Sequence, residues 1–415
     1  MRKTFLRVLV CLLLTAALAF NLAGCGIQVA AADLMESVSA QTVTGKTTDE
    51  AFISSSADFA VELFKRTVTQ GENSLISPLS VMLALEMTAN GADSQTRAEM
   101  EALLGGNIPL EELNEYLYTY IQNLPSDEKY KLEIANSIWF RDDGSLEVNP
   151  VFLQANADYY DAAAYKAPFD KQTVADINNW VKEKTDGMIT QLIEEIPAEA
   201  LMYLINAVVF DAEWQTVYTK QNVSDGTFYA YDSTEQSVEM MHSTESRYLD
   251  DGMATGFIKN YKDGKYSFAA LLPNEGVSID DYIASLTGEG MTATLTGAAN
   301  ESVTVSLPKF SYDYEISMND ALKALGMSTA FDADNADFSK LGTSSVGNLF
   351  VGEVLHKTFI EVNENGTKAG AVTSVMMCGA GLPDYSVTLD RPFVYMIIDN
   401  ATNLPIFIGT VLGIK

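Results

Sequence analysis

The chain has 415 residues, of which 47% are hydrophobic and 20% charged, a composition that supplies a sizeable core and is not that of a disordered protein. It carries 26 basic and 56 acidic residues, a formal net charge of −30. A surface this acidic repels nucleic acid, anionic lipid and polyanions such as heparin, which argues against binding roles of those kinds.

The first 24 residues have the pattern of an export signal. Basic residues at positions 2, 3 and 7 precede an apolar run over 8–20 that is too short to span a membrane comfortably. The following Leu22-Ala23-Gly24-Cys25 resembles a bacterial lipobox, in which the leader is cut before the cysteine and the thiol is lipidated; a plain secretory leader is the alternative. We therefore expect a signal peptide over 1–24 and an extracellular lipoprotein anchored through Cys25 to the outer face of the bacterial cell membrane. The leader holds three basic and no acidic residues, so the mature chain keeps 23 basic and 56 acidic ones, a formal net charge of −33.

The chain offers little reactive chemistry. Of its three cysteines, Cys11 leaves with the leader and Cys25 is the expected lipid site, which leaves Cys378 as a single thiol and excludes an internal disulfide. The two histidines, His242 and His356, are far apart in sequence, and no Gly-x-Ser-x-Gly elbow, His/Cys metal cluster or phosphate loop is present. The sequence therefore predicts a protein that is not an enzyme and needs no metal or cofactor.

Residues 25–50 are predicted to form a tether between the membrane and the globular part. They are poor in large apolar residues and show no sustained period; an ordered amino-terminal arm is the less favoured alternative. Helices follow: serines at 54–56 offer caps for the first, Ser77 precedes the second, and glycines end the second and third. A helix without a basic residue is predicted over 109–123, which is a second argument against a heparin-like partner.

The remainder of the chain is predicted to be mainly strands. Apolar runs separated by turns rich in Gly, Asp or Pro indicate strands over 131–140, 201–210, 228–241, 247–258, 267–272, 302–310, 351–363 and 392–414. Helical patterns lie at 150–160, 174–195 and 316–325, and the pair Gly288 and Gly290 is interpreted as a turn. Helices first and strands later, with no break in composition, indicate one large α+β domain over 51–415.

A series of short motifs runs from about residue 57 to residue 412. They are Ser77-Pro78-Leu79-Ser80, Gly91-Ala92 followed by Thr96 and Glu99-Met100, Ala135-Asn136-Ser137, Ile177-Asn178-Asn179-Trp180-Val181 followed by Thr185-Asp186-Gly187, Asn206-Ala207 leading to Trp214, Val238 to Met241, Leu307-Pro308-Lys309-Phe310, Ala336-Asp337-Phe338-Ser339, Arg391-Pro392-Phe393 and Phe407-Ile408-Gly409. In this order and spacing they resemble the landmarks of the serpins, and the chain is identified as a member of that family. The resemblance implies the serpin fold, with about nine helices around three β-sheets and an exposed reactive-centre loop.

The stretch that leads into this loop has features of both a strand and a loop. Small or β-branched residues occupy every second position, Thr367, Ala369, Ala371, Thr373 and Val375, which is the period of a strand. Glycines and a proline interrupt the stretch and its continuation, which is equally typical of a mobile loop between two ordinary strands. The resemblance implies a reactive-centre loop over about 364–385, whose hinge comprises Glu364, Gly366, Thr367, Ala369, Ala371 and Thr373.

The same resemblance implies where the loop is cut. Counted from the hinge residue Glu364, the scissile bond falls at Ala380–Gly381, and the alternatives are Met377, Cys378 and Gly379. Small or apolar recognition residues suit elastase-like or subtilisin-like serine proteases, whereas nothing basic is present to serve trypsin-like ones.

Two further groups follow from the family resemblance. Ser77, Ser80, Asn206 and His356 match the shutter, a polar set beneath the middle of the main sheet where it opens, and such a buried set must stay hydrogen-bonded. The role implied for His356 is structural rather than catalytic. Trp214 matches the tryptophan of the breach, near the top of the sheet where insertion starts; an ordinary core aromatic is the alternative.

The implied function is that of a suicide substrate. A serine protease cleaves the loop, forms an acyl-enzyme and is trapped when the loop inserts as a new strand. The expected partners are this protease and, through Cys25, the membrane; the protein is expected to be a monomer. Two alternatives stay open: a non-inhibitory serpin that is a surface binding or structural protein or a mere protease substrate, and a cross-class inhibitor of cysteine proteases. Lys368, Gly370 and Val372 depart from the glutamate and alanines usual in inhibitory members.

Overall fold

The computed structural model describes residues 30–106, 108–124, 130–197, 200–367 and 385–414. Within these ranges there are nine α-helices: α1 (Glu50–Thr67), α2 (Pro78–Ala89), α3 (Ser94–Leu104), α4 (Leu110–Asn123), α5 (Pro150–Tyr160), α6 (Lys171–Lys184), α7 (Ile279–Ser285), α8 (Gly288–Thr296) and α9 (Asn319–Ala324). The strands are β1 (Ala32–Asp33), β2 (Ser74–Ile76), β3 (Tyr130–Arg141), β4 (Leu146–Val148), β5 (Ala163–Ala167), β6 (Met202–Glu213), β7 (Val223–Tyr229), β8 (Glu235–Glu245), β9 (Tyr248–Asp250), β10 (Ala254–Asn260), β11 (Tyr266–Pro273), β12 (Val303–Pro308), β13 (Phe310–Ser317), β14 (Gly342–Ser344), β15 (Glu353–Val362), β16 (Gly366–Thr367), β17 (Tyr385–Thr388), β18 (Phe393–Asp399) and β19 (Pro405–Val411). None of the helices in the described ranges is both long and apolar enough to cross a membrane.

The strands form three large sheets and one short ribbon. Sheet A has seven strands in the order β1-β5-β3-β6-β16-β15-β13, sheet B has six in the order β2-β19-β18-β11-β10-β9, and sheet C has four in the order β17-β12-β8-β7. Strands β4 and β14 form the ribbon. The predicted α+β serpin fold, with about nine helices around three sheets, is confirmed, and the ribbon is an addition to it.

Helix α2 lies at the centre of the molecule, and all of its residues are buried. Its start follows from local chemistry, because the Ser77 side chain accepts a hydrogen bond from the Ser80 amide at 3.4 Å. Pro78 suits the first helical position, since an N–H at that position has no partner within the helix and its loss costs nothing. A helix that is apolar on nearly every face can only lie inside a protein. Helix α2 packs beneath β3 and β6 and so places Ser77 and Ser80 against the middle of sheet A.

A second, smaller core lies on the other face of sheet A, beneath α6. Its large side chains include Trp139, Ile177, Trp180 and Tyr203. Sheet A is therefore covered on both faces, which accounts for the continuous apolar run in β6, where every residue except Asp211 is buried.

The segment before α1 is an ordered arm. Its residues Ala32 and Asp33 form β1 at the edge of sheet A, opposite residues of β5, and the neighbouring apolar side chains of Leu34, Met35 and Val38 pack against the main core. Further along, Lys46 forms an ion pair with Glu112 of α4. The tether predicted over 25–50 is corrected for residues 30–49, because separate contacts along an extended arm leave no sustained period in the sequence.

Two further predictions from the sequence are corrected. The helix predicted over 174–195 is too long, because Asp186 and Gly187 take left-handed conformations, with φ of 47° and 76°, and end α6. The pair Gly288 and Gly290 does not form a turn but begins α8, and the side chain of the preceding threonine accepts a hydrogen bond from the free amide of Gly290.

Candidate functional site

Sheet A is open between β6 and β15. Over the first part of β15 the two strands pair in parallel, from Glu353 opposite Tyr203 to Thr358 opposite Val208. Beyond that point they separate, and β16 lies between their far ends as a strand antiparallel to both. The chain that leaves β15 therefore turns back at once and enters the sheet.

The two residues of β16, Gly366 and Thr367, are the first small residues of the predicted hinge. They lie opposite the end of β6, and Thr367 is 1% exposed. The chain reverses through residues 363–365, which we call the hinge turn. The prediction of an exposed loop from about residue 364 is therefore corrected: because the hinge turn folds back against β15, residues 366 and 367 are already part of sheet A.

The Thr367 side chain lies inside the protein. Its hydroxyl oxygen is 2.5 Å from that of Tyr261, whose fully buried ring stacks on Trp214 with 4.5 Å between ring centroids and 9° between ring planes. Burial raises the pKa of the Tyr261 hydroxyl, which is therefore a neutral hydrogen-bonding group. A small residue at position 367 fits this space, in agreement with the predicted pattern of small or β-branched residues at every second position.

The hinge turn is held by one short segment, residues 214–218, that follows β6. The Trp214 amide donates to the carbonyl of Asn365 at 2.8 Å, and the Trp214 indole N–H donates to the carbonyl of Asn363 at 2.9 Å. The Tyr218 amide donates to the carbonyl of Glu364 at 2.9 Å. All three carbonyl groups of the hinge turn are thus bound by the same segment, and the predicted breach residue Trp214 supplies two of the donors.

Glu364 adds a side-chain contact to the hinge turn. Its carboxylate lies 2.9 Å from the ammonium group of Lys309, which also contacts Glu239 at 3.2 Å. The hydrogen bond from Lys309 lowers the pKa of Glu364. Lys309 belongs to one of the family motifs, but its role could not be predicted from the sequence. Its ion pair with Glu364 joins parts of the chain that only the folded sheets bring together.

Beneath the middle of sheet A, the four predicted shutter residues form one hydrogen-bonded cluster. Asn206 and His356 are neighbours across β6 and β15, and the His356 Nδ1–H donates to the side-chain oxygen of Asn206. The amide of Ser77 donates to His356 Nε2 at 3.0 Å, and the Asn206 side-chain amide donates to the carbonyl of Ser80 at 2.7 Å. All four residues are 0% exposed. The cluster joins the two strands that flank the opening to the start of α2.

The protonation state of His356 follows from this geometry. Nε2 accepts a hydrogen bond from a backbone amide and so carries no proton, which leaves a neutral ring with its proton on Nδ1. Burial acts in the same direction and lowers the pKa of His356 to about 3. The histidine is therefore a fixed hydrogen-bonding group, as the structural role predicted for it requires.

Sequence reasoning missed two polar residues, one that extends this cluster and one beside it. Asn136 lies opposite Asn206 on β3 and accepts a hydrogen bond from its side-chain amide. Thr358, fully buried on β15, donates from its hydroxyl to the carbonyl of Leu75 at 2.8 Å. Asn136 could have been found from its family motif, since an asparagine inside an apolar strand needs buried partners.

Several predicted site residues lie outside the described residues, and they are the hinge positions Ala369, Ala371 and Thr373, the scissile bond Ala380–Gly381, its alternatives Met377, Cys378 and Gly379, and the lipid site Cys25. After the segment predicted to be the reactive-centre loop, Tyr385 begins β17, which pairs in parallel with β12 of sheet C. In the part of the chain that the structure describes, no group of three or more His, Cys, Asp or Glu residues could hold a metal ion.

Comparison with known proteins agrees with this architecture. Residues 54–414 match the family model described as Serpin (serine protease inhibitor), and the chain belongs to the serpin family. Human neuroserpin is 30% identical over 391 residues, which cover 89% of this chain and 92% of neuroserpin.

Solved structures show the same similarity. The thermophilic serpin tengpin in its native state is 54% identical, with a TM-score of 0.90 over 92% of this chain and 100% of that chain; for tengpin in its latent state the TM-score is 0.81. Human thyroxine-binding globulin is 25% identical, with a TM-score of 0.79 over 88% of this chain and 98% of that chain. The chain is thus more similar to the native than to the latent state of tengpin.

Proposed function

We propose that the protein is a suicide-substrate inhibitor of serine proteases. The observation that carries this proposal is β16, because the hinge enters an open sheet through two small residues, Gly366 and Thr367. Family membership supports protease inhibition in general. A protease that attacks the loop forms an acyl-enzyme. Cleavage frees the hinge, which extends β16 into a full strand between β6 and β15 and carries the attached protease along the sheet.

Insertion supplies the energy for trapping. A full inserted strand adds about a dozen backbone hydrogen bonds at a net ~0.5–1.5 kcal/mol each, on the order of 10 kcal/mol in total. The loss of one oxyanion-hole donor already raises the barrier of acyl transfer by about 2.7–4 kcal/mol. The energy of insertion is therefore sufficient to distort the active site of the protease and stop hydrolysis of the acyl bond.

The proposed targets are elastase-like or subtilisin-like serine proteases, and the proposed scissile bond is Ala380–Gly381. The loop sequence supports both, since the residues from Met377 to Gly381 are small or apolar and none is basic. The pockets of elastase-like and subtilisin-like enzymes accept such side chains, whereas trypsin-like enzymes require a cation.

We further propose that the mature protein is a lipoprotein held at the outer face of the cell membrane through Cys25. The support is the lipobox-like sequence Leu22-Ala23-Gly24-Cys25. The arm joins sheet A from residue 32, and the seven residues from position 25 span at most about 25 Å. The lipid would therefore hold this edge of sheet A close to the membrane. An amino-terminal peptide that starts at Cys25 and lacks the mass of the lipid would contradict this proposal.

The test of inhibition mixes the lipid-free mature chain with an elastase-like, a subtilisin-like and a papain-like protease and analyses the products by denaturing gels and intact mass. We expect a species of summed mass that survives denaturation, with release of a carboxy-terminal fragment that begins at Gly381. A serine protease with a blocked catalytic serine is the control and should give neither product. Cleavage without a covalent species for every enzyme would contradict inhibition, and a covalent species with the cysteine protease alone would support the cross-class alternative.

A second candidate is a non-inhibitory binding protein. It is favoured by the likeness to thyroxine-binding globulin, whose name states that it binds a small ligand. Thermal unfolding before and after loop cleavage separates the two candidates, since strand insertion raises the unfolding temperature and cleavage without insertion leaves it unchanged.

A further inference from the structure

Lys259 is an unusual residue of the sheet-A opening because its charge is inside the protein. It lies on β10 and is 2% exposed, and among the described residues it is the only buried lysine or arginine. A buried ion pair costs desolvation energy, and apolar side chains of similar volume often stabilise a fold equally well.

The Lys259 ammonium group belongs to a closed cluster of four side chains. It lies 2.8 Å from the Glu245 carboxylate and 4.5 Å from the centre of the Tyr218 ring. The Tyr218 hydroxyl is 3.3 Å from that of Ser243, and Ser243 donates to the same Glu245 carboxylate at 2.7 Å. The ammonium group is also 5.5 Å from the centre of the Trp214 ring, so one cation faces both aromatic side chains of the segment 214–218.

These two aromatic residues are the ones that hold the hinge turn. The amides of Trp214 and Tyr218 and the indole N–H of Trp214 bind the three carbonyl groups of residues 363–365. The cation is attracted to the faces of both rings, and the attraction is stronger where water is excluded. Lys259 thereby links sheet B, through β10, and sheet C, through Glu245, to the segment that holds the hinge.

We propose that Lys259 is a positioning residue that fixes the segment 214–218, so that the hinge turn is a rigid pivot about which the incoming strand pairs in register. The hinge turn connects β15 to β16, and an inserted strand would extend β16 from the same turn. The turn therefore keeps its place while the strand lengthens. The role in trapping rests on the proposed function, whereas the role in holding the turn does not.

The first experiment is hydrogen–deuterium exchange of the native full chain, resolved to single amides, for the wild type, Lys259→Met and Lys259→Arg. In Lys259→Met we expect the amides of Trp214 and Tyr218 to exchange faster by about tenfold or more, since a desolvated cation–π contact is worth at least that factor. Lys259→Arg keeps the cation and should restore most of the protection. If Lys259→Met does not fold, Glu245→Gln removes the carboxylate that orients the ammonium group and should affect the same amides.

The matched control is Lys166→Met, which removes a partly buried lysine paired with Asp142. Lys166 pairs with Phe140 of β3, and Phe140 in turn pairs with Met202, the first residue of β6. The hinge lies at the other end of β6, so Lys166 is remote from it. Unchanged exchange at Trp214 and Tyr218 in Lys259→Met would overturn the proposal. Faster exchange by an equal factor throughout sheets A and B would also overturn it, because it would show a general loss of stability.

The second experiment measures the number of inhibitor molecules consumed for each protease trapped. A loosened pivot delays insertion, so more acyl-enzyme is hydrolysed and this number should rise severalfold in Lys259→Met and much less in Lys259→Arg. If the wild type traps no protease, the proposed function fails, and the exchange experiment still decides whether Lys259 positions the hinge turn. If the wild type traps a protease and the number is unchanged in Lys259→Met, the role in insertion is wrong.

Discussion

The ring of His356 is held in one protonation state by two neighbours. Its Nε2 accepts from the Ser77 amide and its Nδ1–H donates to Asn206, so a second proton on the ring would face a backbone N–H. The pKa of His356 is therefore lowered from 6.5 to about 3 by burial in the folded protein. Between these two values the unfolded chain binds more protons than the folded one, and stability must rise with pH.

This difference predicts how the free energy of unfolding depends on pH. The contribution of His356 is fully present above pH 6.5 and is lost as the pH falls towards 3, by at most about 1.4 kcal/mol per pH unit. His356→Gln cannot take up this proton. The difference between its free energy of unfolding and that of the wild type should therefore narrow by about 2 kcal/mol as the pH falls from 6.5 to 5. Urea unfolding at a series of pH values measures the effect, with His242→Gln as the control. A difference in free energy of unfolding that stays constant over this pH range would contradict the lowered pKa of His356.

For single residues, the sequence predicts a role well when that role depends on the chemistry of the residue itself. It misses a role that depends on which residues the register of the sheets brings together. The family motifs contain Ser77, Ser80 and Asn206, the resemblance also implies His356, and the structure brings all four together. Lys259 belongs to no motif, and its contacts with Glu245 and the two aromatic rings exist only after β8 and β10 have taken their places.

Among the elements, β16 is the one on which the proposed mechanism depends. Thr367 is buried beside Tyr261, and an arginine there would have to bury an unpaired charge, which is strongly unfavourable. We expect Thr367→Arg to keep β16 out of the sheet and to block insertion, so that loop cleavage no longer raises the unfolding temperature. Thr367→Val has the same size and should retain most of the increase. The prediction is wrong if both variants respond to cleavage as the wild type does.

The elements that were predicted well are those whose ends are marked by local chemistry. Ser77 and Pro78 mark the start of α2, and the period of 3.6 residues then continues to Ala89. The helix predicted over 174–195 extends past the end of α6 because the apolar residues that follow Gly187 keep a helical spacing, although they pack in the second core from an irregular segment. Over 30–49 the sequence favours a tether over the ordered arm, because the contacts of the arm are made by the surfaces of other elements, which the local sequence does not contain.

For the whole molecule, the dominant feature is the formal net charge of −33 expected after removal of the leader. Such a charge produces a long-range field that attracts cationic partners and repels anionic ones. Several of its acidic residues lie on sheet C, to which β17 also belongs: Asp225, Glu235 and Glu239 are exposed there. A target protease therefore meets a negative field before it contacts the loop.

This field predicts that the rate of association depends on the charge of the protease and on salt. With a basic elastase-like protease, the association rate constant should fall steeply as ionic strength rises from about 0.01 M to 0.15 M, because the Debye length shrinks from about 30 Å to 8 Å. With an acidic subtilisin-like protease it should rise or stay constant. Insertion occurs after the acyl bond has formed, so the number of inhibitor molecules consumed for each trapped protease should change little with salt, which serves as the internal control. Stopped-flow measurements under pseudo-first-order conditions give the rate constant, and titration of the protease with inhibitor to completion gives the number consumed. A rate constant for the basic enzyme that is independent of salt would show that the surface charge does not guide the encounter.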